Sequence, residues 1–241
     1  MDSDIDVASL MMKHFEVEFV FDKQGRIRSA NYWTDARAAK FVLGITRTKT
    51  VWAFGSELPE EVCRELERVA RLEDFDPSSS PHHTEQYLSI VSTIYSGTKR
   101  ELYDSLTYWF PATGGNSLEK DCILIESSNQ SLLEEHFEHM LGYQGKVIEY
   151  DQPIVALVVG GVAVSVCSSA RSNEEAHECY VLTAFECRQK GYATSVVKSW
   201  ANTLKSRGLI PLYNTSIGNE PAQTVARKAG FSLYGRALRI H

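Results

Sequence analysis

The sequence predicts an α/β (α+β) fold, in which strands and helices are mixed along a chain of 241 residues. Three observations favour this class. Ile154–Cys167 is an apolar run interrupted by Gly160-Gly161, which is typical of a β-hairpin. An amphipathic helix pattern follows a second apolar run, Cys179–Phe185. A further strand and helix come directly after it, so strands and helices alternate in this part of the chain.

The N-terminal part of the sequence has the pattern of a small α+β domain. Phe15–Phe21 alternates in polarity, which predicts a strand, and Arg26–Trp33 completes a hairpin after a polar turn. Val51–Phe54 predicts a third strand. Helices are predicted over three segments, Pro59–Leu72, Glu85–Tyr95 and Lys99–Leu106. The Ser- and Pro-rich stretch Asp76–Pro81 predicts a loop between the first two of these helices.

A glycine-containing segment, Pro111–Ser117, marks the expected domain boundary. It divides the chain into residues 1–115 and 116–241. Beyond the boundary, Cys122–Glu126 predicts a strand. Ser131-Leu132-Leu133-Glu134 then has the pattern of a capping box, which predicts that a helix begins there.

The most informative segment is Arg188–Ala193, a short turn between the run Cys179–Phe185 and the next helix. A turn that opens a helix leaves backbone N–H groups unpaired beside the positive end of the helix dipole, and such groups bind phosphate. By itself the pattern is also compatible with an ordinary strand-to-helix connection. The helix is predicted by its apolar side, which consists of Ala193, Val196, Val197, Trp200, Ala201 and Leu204. Gly208 predicts its end.

A second strand and helix follow this helix. Ile210–Ser216 predicts the strand, and Asn219 is placed to cap the helix. The apolar face of that helix consists of Ala222, Val225, Ala226 and Ala229. Gly230 predicts the helix end, directly before Phe231. The predicted order is therefore strand, turn, helix, strand, capped helix, Gly-Phe and a last strand.

In this order of motifs the chain resembles the GNAT superfamily of N-acyltransferases, whose acyl-CoA motif reads (Arg or Gln)-x-x-Gly-x-(Gly or Ala). The matching segments are Val164–Arg171, Glu178, the turn Arg188–Ala193, and Ile210–Ser216 with Asn219. They extend over roughly half of the chain, and several ordered motifs are more specific than one turn. The resemblance looks closest to the zwittermicin-resistance-type acetyltransferases. It implies a mixed, mostly antiparallel sheet flanked by helices over residues 116–241.

The resemblance also implies a co-substrate, acetyl-CoA, and the residues that bind it, with no need for a metal. The turn and the helix start are expected to hold the pyrophosphate through Arg188, Gln189, Lys190, Gly191, Tyr192, Ala193 and Thr194. Backbone groups of the preceding strand are expected to hold the pantetheine arm and the acyl oxygen, at Val181, Leu182 and Thr183. Asn219 is expected to orient the pantetheine.

Glu178 is the expected general base, because members of this group carry a Glu at this place on the strand. A charged residue on the solvent face of a strand is an equally good interpretation of the sequence. Ala226 stands where many GNAT enzymes have a Tyr that protonates the leaving thiolate. Tyr213 is the candidate acid in its place, and Tyr234 is a second one, although partly buried aromatic residues are the commoner case. The neighbouring His177 has the pattern of a polar loop residue.

The predicted function is transfer of an acetyl group from acetyl-CoA to a primary amine of a small molecule or peptide. The domain 1–115 is expected to shape the acceptor site. The alternative is a non-catalytic acyl-CoA-binding regulatory module, because the usual Tyr is missing. A net charge of -6 and a pI near 5.7 give no general attraction to nucleic acid or to an anionic membrane. The oligomeric state is left open.

A cytoplasmic location is expected from two features of the sequence. Met1–Asp6 is acidic where a secretory signal is basic. The five cysteines are odd in number and no two of them form a close, metal-type pair, which favours reduced thiols.

Overall fold

The computed structural model describes residues 6–31, 38–76, 81–95, 101–111, 117–141 and 149–241. The chain folds into two compact units, each of which contains strands and helices. Unit 1 consists of residues 1–107, 214–219 and 233–241, and unit 2 consists of residues 108–213 and 220–232. The predicted boundary between residues 115 and 116 lies outside the described residues. None of the described helices is long and apolar enough to cross a membrane.

The structure contains the following helices and strands. The helices are α1 Val7–Glu18, α2 Glu60–Ala70, α3 Thr84–Ser92, α4 Glu134–Phe137, α5 Tyr192–Ser206 and α6 Glu220–Ala229. The strands are β1 Phe19–Phe21, β2 Ile27–Ala30, β3 Phe41–Thr46, β4 Thr50–Phe54, β5 Leu102–Trp109, β6 Cys122–Ile125, β7 Ile154–Val159, β8 Val162–Ser172, β9 Ala176–Thr183, β10 Ile210–Ser216 and β11 Ser232–Ile240. The predicted fold class, helices flanking a large and mostly antiparallel sheet, is confirmed.

Unit 1 is built around the strand order β4-β3-β11-β5. Strand β3 pairs antiparallel with β4 on one side and with β11 on the other. All six residues of β3 are buried, because helices cover it. Helices α2 and α3 bury Leu66, Val69 and Tyr87 against Phe41 and Leu43 in one apolar cluster.

Helix α1 also packs against β3. A Cβ atom at Gly44 of β3 would lie 2.2 Å from Met11 Cγ of α1, so only glycine permits this close approach. A separate antiparallel hairpin, β1 with β2, follows α1 and confirms the second half of the predicted hairpin up to Ala30. Trp33 lies outside the described residues.

Unit 2 is built around the strand order β10-β9-β8-β7-β6. Strands β7 and β8 form the predicted hairpin, with Gly160 and Gly161 in its turn. Helix α5 buries one apolar side, which includes Val196, Val197, Trp200, Ala201 and Leu204, as its periodicity predicts. Among the strand pairs described here, only β9 with β10 is parallel.

The structure corrects the predicted strand over Phe15–Phe21, because residues 15–18 belong to helix α1. Asp6 caps this helix by accepting a hydrogen bond from the Ala8 backbone N–H at 3.1 Å. Met11, Phe15 and Glu18 are buried at helical spacing. The alternating apolar residues of Phe15–Phe21 therefore belong partly to the end of α1 and partly to β1, and do not form one strand.

The predicted helix over Lys99–Leu106 is also wrong, since β5 covers Leu102–Trp109. Residues Ser105–Trp109 are all buried, which is typical of a strand with neighbours on both sides. Near Ser131 the chain is helical as predicted, but Ser131 is not the N-cap. It lies inside a 3₁₀ turn, Gln130–Leu133, that precedes the short helix α4, and no side chain caps either element.

Candidate functional site

The turn between β9 and α5 has the geometry of an anion-binding loop. A 3₁₀ turn, Phe185–Cys187, follows β9, and α5 begins at Tyr192. Gln189 has φ 62° and Gly191 has φ 83°, so two backbone reversals lie within three residues. A Cβ atom added at Gly191 would meet nothing within 4 Å, so the space beside this residue is open.

The backbone N–H groups of residues 189–194 make no hydrogen bond with the described part of the protein. The first bond of α5 is donated by Ser195 to the Gly191 carbonyl at 3.2 Å. Lys190 and Gly191 are exposed to solvent. Free donors, a positive helix end and open space are the features of a phosphate-binding turn.

Arg188 contacts residues at the end of β9 and just after it. Its Nε–H donates to the Thr183 carbonyl oxygen at 3.4 Å. Its guanidinium carbon lies 5.2 Å from the ring centroid of Phe185, a residue that is 80% exposed. The side chain of Arg188 is therefore already engaged along the end of the strand, so the anion site of the turn is mainly backbone.

Strands β9 and β10 separate in front of the turn. Their parallel register runs from Ile210↔Ala176 to Leu212↔Glu178 and goes no further in the described residues. Strand β9 itself continues to Thr183, held by β8 on its other side. The separation leaves one edge of β9 without a strand partner over residues 179–183.

The hydrogen-bond pattern between β8 and β9 determines which backbone N–H groups of β9 face this edge. Ala184 N–H donates to the Val164 carbonyl at 3.0 Å, so even-numbered residues of β9 bond to β8 here. The N–H groups of Val181 and Thr183 consequently point to the edge that β10 has left. Leu182, the third predicted backbone contact, instead directs its N–H toward β8.

Glu178 is buried, with a relative exposure of 8%. The interpretation as a solvent-face charge is therefore not what the structure shows. Its Oε2 atom lies 3.4 Å from Nη1 of Arg171, which faces it across the β8–β9 pair. The carboxylate thus stands at the last rung between β9 and β10, where those strands begin to separate.

Tyr213 directs its hydroxyl toward helix α6. It is 2% exposed, and its hydroxyl donates to the Ala222 carbonyl of α6 at 3.1 Å. Its ring contacts Tyr108 and Phe231 in edge-on geometry. Burial raises the pKa of Tyr213 well above its ordinary value. Its hydroxyl is protonated at neutral pH and holds α6 in place.

Three further residues named in the sequence prediction, Asn219, Ala226 and Tyr234, lie at separate places. Asn219 is exposed and directly precedes the first residue of α6, and its N–H donates to the Ser216 carbonyl at 3.0 Å. Ala226 is fully buried in α6. Tyr234 lies in unit 1, where its hydroxyl is 2.6 Å from His14 Nδ1.

A buried polar chain beside Glu178 is absent from the sequence prediction. The Ser169 hydroxyl accepts from Trp200 Nε1–H at 3.0 Å, and its oxygen is 2.9 Å from His177 Nδ1. Burial lowers the pKa of His177 to about 4, with a smaller contribution from the charge of Arg207. His177 lies in strand β9 and not in a polar loop. Only the fold brings these groups together, from β8, β9 and α5.

The chain is similar to known proteins in part of its sequence and in its fold. Residues 125–236 match the GNAT acetyltransferase family. The fold is similar to that of the GCN5-related N-acetyltransferase-like protein from Streptococcus suis, with a TM-score of 0.50, 14% identity, and coverage of 98% of this chain and 100% of that one. It is equally similar to an acetyltransferase from the GNAT family from Colwellia psychrerythraea, with a TM-score of 0.50, 14% identity, and coverage of 100% and 97%. No curated protein matches the chain.

Proposed function

We propose that this chain, whose residues 125–236 match the GNAT acetyltransferase family, is an N-acetyltransferase that moves an acetyl group from acetyl-CoA to a primary amine. The observation that carries the proposal is the series of unpaired N–H groups over residues 189–194, at the start of α5. This arrangement supplies donors and positive potential where a pyrophosphate needs them. The bound thioester would supply the activated acetyl group.

In this proposal the edge of β9 performs the chemistry. Glu178 accepts the proton that the amine loses, directly or through a water molecule. The N–H groups of Val181 and Thr183 donate hydrogen bonds to the acyl oxygen as its negative charge develops. These groups belong to one strand, so their spacing is set by the β8–β9 ladder. Direct transfer to the amine follows, because no step requires a covalent enzyme intermediate.

Tyr213 is the proposed proton donor to the departing thiolate, with one condition. Its raised pKa keeps the proton on the hydroxyl at neutral pH. The hydroxyl must first leave the Ala222 carbonyl, to which it donates in the structure. A thiolate also departs without a fixed acid, so transfer does not depend on Tyr213.

The acceptor is proposed to be the amine of a small molecule or a peptide, and the coarse features of the protein support a cytoplasmic location. All five cysteines are free thiols, and three of them, Cys63, Cys122 and Cys167, are buried. Reduced cysteines are typical of that compartment. We also propose that this chain resembles, among GNAT enzymes, the zwittermicin-resistance-type acetyltransferases.

A non-catalytic acyl-CoA-binding module is the second candidate function. Two observations favour it. Ala226 replaces the Tyr that serves as acid in many related enzymes, and the hydroxyl of Tyr213 is occupied by a backbone carbonyl. Such a module would retain the N–H groups of the turn and lose the chemistry.

Release of free coenzyme A thiol distinguishes the two functions. The full chain is incubated with acetyl-CoA and a panel of primary amines, and thiol is measured against time. Amine-dependent release supports the transferase. Binding of acetyl-CoA by calorimetry without any release supports the binding module, whereas the absence of binding rejects both. The variant Arg171→Gln is assayed in parallel. Loss of the ion pair with Glu178 should alter turnover without altering acetyl-CoA affinity.

A further inference from the structure

Unit 1 contains a buried polar network around Glu18, at the end of α1. The Glu18 carboxylate forms a two-point ion pair with Arg239 of β11. Asn214 of β10 donates from its side-chain Nδ2 to Glu18 Oε1 at 3.2 Å. Arg239 also donates to Ser105 Oγ of β5 at 2.7 Å. Glu18, Ser105 and Arg239 are each 4% exposed or less, so solvent does not screen these contacts.

The network determines how the Asn214 amide is oriented. A carboxylate only accepts hydrogen bonds, so the amide nitrogen must face Glu18 and the amide oxygen must face away. That oxygen, Oδ1, is buried and has no hydrogen-bond partner among the described residues. The hydroxyl oxygen of Thr107, a residue with no exposed surface, is in the same state. Because both atoms are without a partner, they do not bond to each other.

The strand register brings these two oxygens to one place. Phe110 N–H donates to the Pro211 carbonyl at 3.1 Å, and Ile217 N–H donates to the Asp104 carbonyl at 3.2 Å. Both bonds fit a single antiparallel register of β5 with β10, in which Thr107 faces Asn214. They face each other as a non-hydrogen-bonded pair, whose side chains share one face and lie close together.

We propose that Thr107 Oγ1 and Asn214 Oδ1 form a binding site for the primary amine group of the acceptor. A neutral primary amine has two N–H donors, one for each oxygen, and its lone pair takes no part in these hydrogen bonds. After attack, one N–H must leave its oxygen before its proton passes to the base. The Glu18 carboxylate that orients the Asn214 amide is itself ion-paired with Arg239. This inference rests on the proposed acyltransferase function and adds the place in unit 1 where the amine is held.

The test uses a small fluorinated amine, 2,2,2-trifluoroethylamine, which is neutral at neutral pH. The full chain, labelled with ¹⁵N, is titrated with this amine, and the ¹⁹F signal and the Asn214 side-chain NH₂ signal are followed. We expect saturable changes in both signals. 2,2,2-trifluoroethanol, which has a single donor, should bind at least several-fold more weakly.

Thr107→Val separates binding from folding. It keeps the shape of the side chain and removes a buried hydroxyl that has no protein partner, so the melting temperature should stay the same or rise. Affinity for the amine should fall about tenfold, since one of two hydrogen bonds is lost. Ser168→Ala is the matched control, because Ser168 is also fully buried with an unpartnered hydroxyl but belongs to unit 2. Its amine affinity should equal that of the wild type.

Three outcomes would overturn the proposal: no amine binding, equal affinity in the Thr107→Val and wild-type chains, or an ordered water molecule between Thr107 and Asn214 that the amine does not displace. Calorimetry with acetyl-CoA on the same samples keeps the two proposals apart. A Thr107-dependent amine response without acetyl-CoA binding would support the amine site and refute the acyltransferase function.

Discussion

The carboxylate of Glu178 combines burial with a position at the last paired rung of β9 and β10. A buried carboxylate needs a partner, and Arg171 supplies one at 3.4 Å. This distance is long for a charge-assisted hydrogen bond. In the proposed function the carboxylate accepts the proton that an incoming amine loses.

Replacement of this carboxylate tests its role. Glu178→Gln keeps the shape and the hydrogen-bonding capacity of the side chain and removes its ability to accept a proton. Turnover should fall roughly 10²- to 10⁴-fold, with acetyl-CoA affinity nearly unchanged. Glu174→Gln, at an exposed position before β9, should leave turnover unaffected. Turnover of Glu178→Gln within twofold of the wild type would remove Glu178 from the reaction.

Gly191 permits a direct test of the phosphate turn. Gly191→Val places a branched side chain in the open space beside the free N–H groups and opposes the φ of 83°. Acetyl-CoA affinity should fall by at least tenfold in calorimetry. Gly208→Val is the matched control, since Gly208 has φ 76° and equally open surroundings at the other end of α5.

Both Gly191→Val and Gly208→Val should lower the melting temperature by a similar amount, because both force a β-branched residue to a positive φ. Only the first should weaken acetyl-CoA binding. A similar loss of affinity in the two variants would mean that strain in α5, and not access to the turn, controls the cofactor.

At the scale of elements, the sequence predicted best where one periodicity acts alone. The apolar stripe of α5 and the glycine turn between β7 and β8 are local signals, and the structure confirms both. The alternation over Phe15–Phe21 failed, because helix α1 with its Asp6 cap extends to Glu18. Strand β5 was missed because its burial comes from neighbouring strands, which no local pattern records.

The residues of the candidate site also differ in how far the sequence could predict them. The turn at Arg188–Ala193 is contiguous in the sequence, so its residues could be named from the motif alone. The exposure of the Val181 and Thr183 N–H groups depends on where β10 leaves β9, which is a tertiary property. The contact of Ser169 with Trp200 and His177 joins residues of three elements, and the sequence gives no spacing that would reveal it.

His177 of β9 and Asp151, which precedes β7, respond to acid in opposite directions. The folded-state pKa of His177 is lowered from 6.5 to about 4, so its contribution to stability is present above pH 6.5 and is lost as the pH falls toward 4. Burial raises the pKa of Asp151 from 3.8 to about 6, so stability from this group increases as the pH falls from 6 to 3.8. The two effects partly cancel in the wild type.

Asp151→Asn should reveal the effect of His177 on the pH dependence of stability, because the opposing effect of Asp151 is removed. At neutral pH the variant should melt at a higher temperature, because a buried charge has been removed. On acidification from pH 6.5 toward 4 it should lose stability more steeply than the wild type, since the opposing group is gone. Thermal melts over this pH range measure both effects, with the exposed Asp74→Asn as control. Parallel pH curves for wild type and Asp151→Asn would contradict the expectation.

At the scale of the whole molecule, the chain enters unit 1 three times. Strand β11 pairs with β3 from Gly235↔Thr46 to Ile240↔Phe41, and Leu238 and Ile240 are part of the core cluster beneath it. The described residues before position 108 therefore lack one of the strands on which their own sheet depends.

A fragment limited to residues 1–115 should consequently fail to fold by itself. We expect no cooperative thermal transition in circular dichroism, because β3 loses its partner β11 and the cluster loses Leu238 and Ile240. The same fragment joined by a flexible Gly/Ser linker to residues 230–241 is the control, and it should regain a transition. A cooperative transition in the shorter fragment would show that β11 is dispensable for unit 1.

The late position of β11 also has a consequence for synthesis. A ribosome adds roughly 5 to 20 residues per second, so roughly 10 to 40 s separate the appearance of β3 from that of β11. During this interval the apolar residues of β3 have only β4 beside them, and one strand edge is open to other chains. Unit 1 therefore reaches its complete strand order only after Ile240 has been translated. Slow translation or crowded expression should favour aggregation of nascent chains, and chaperones that shield exposed strands should raise the yield.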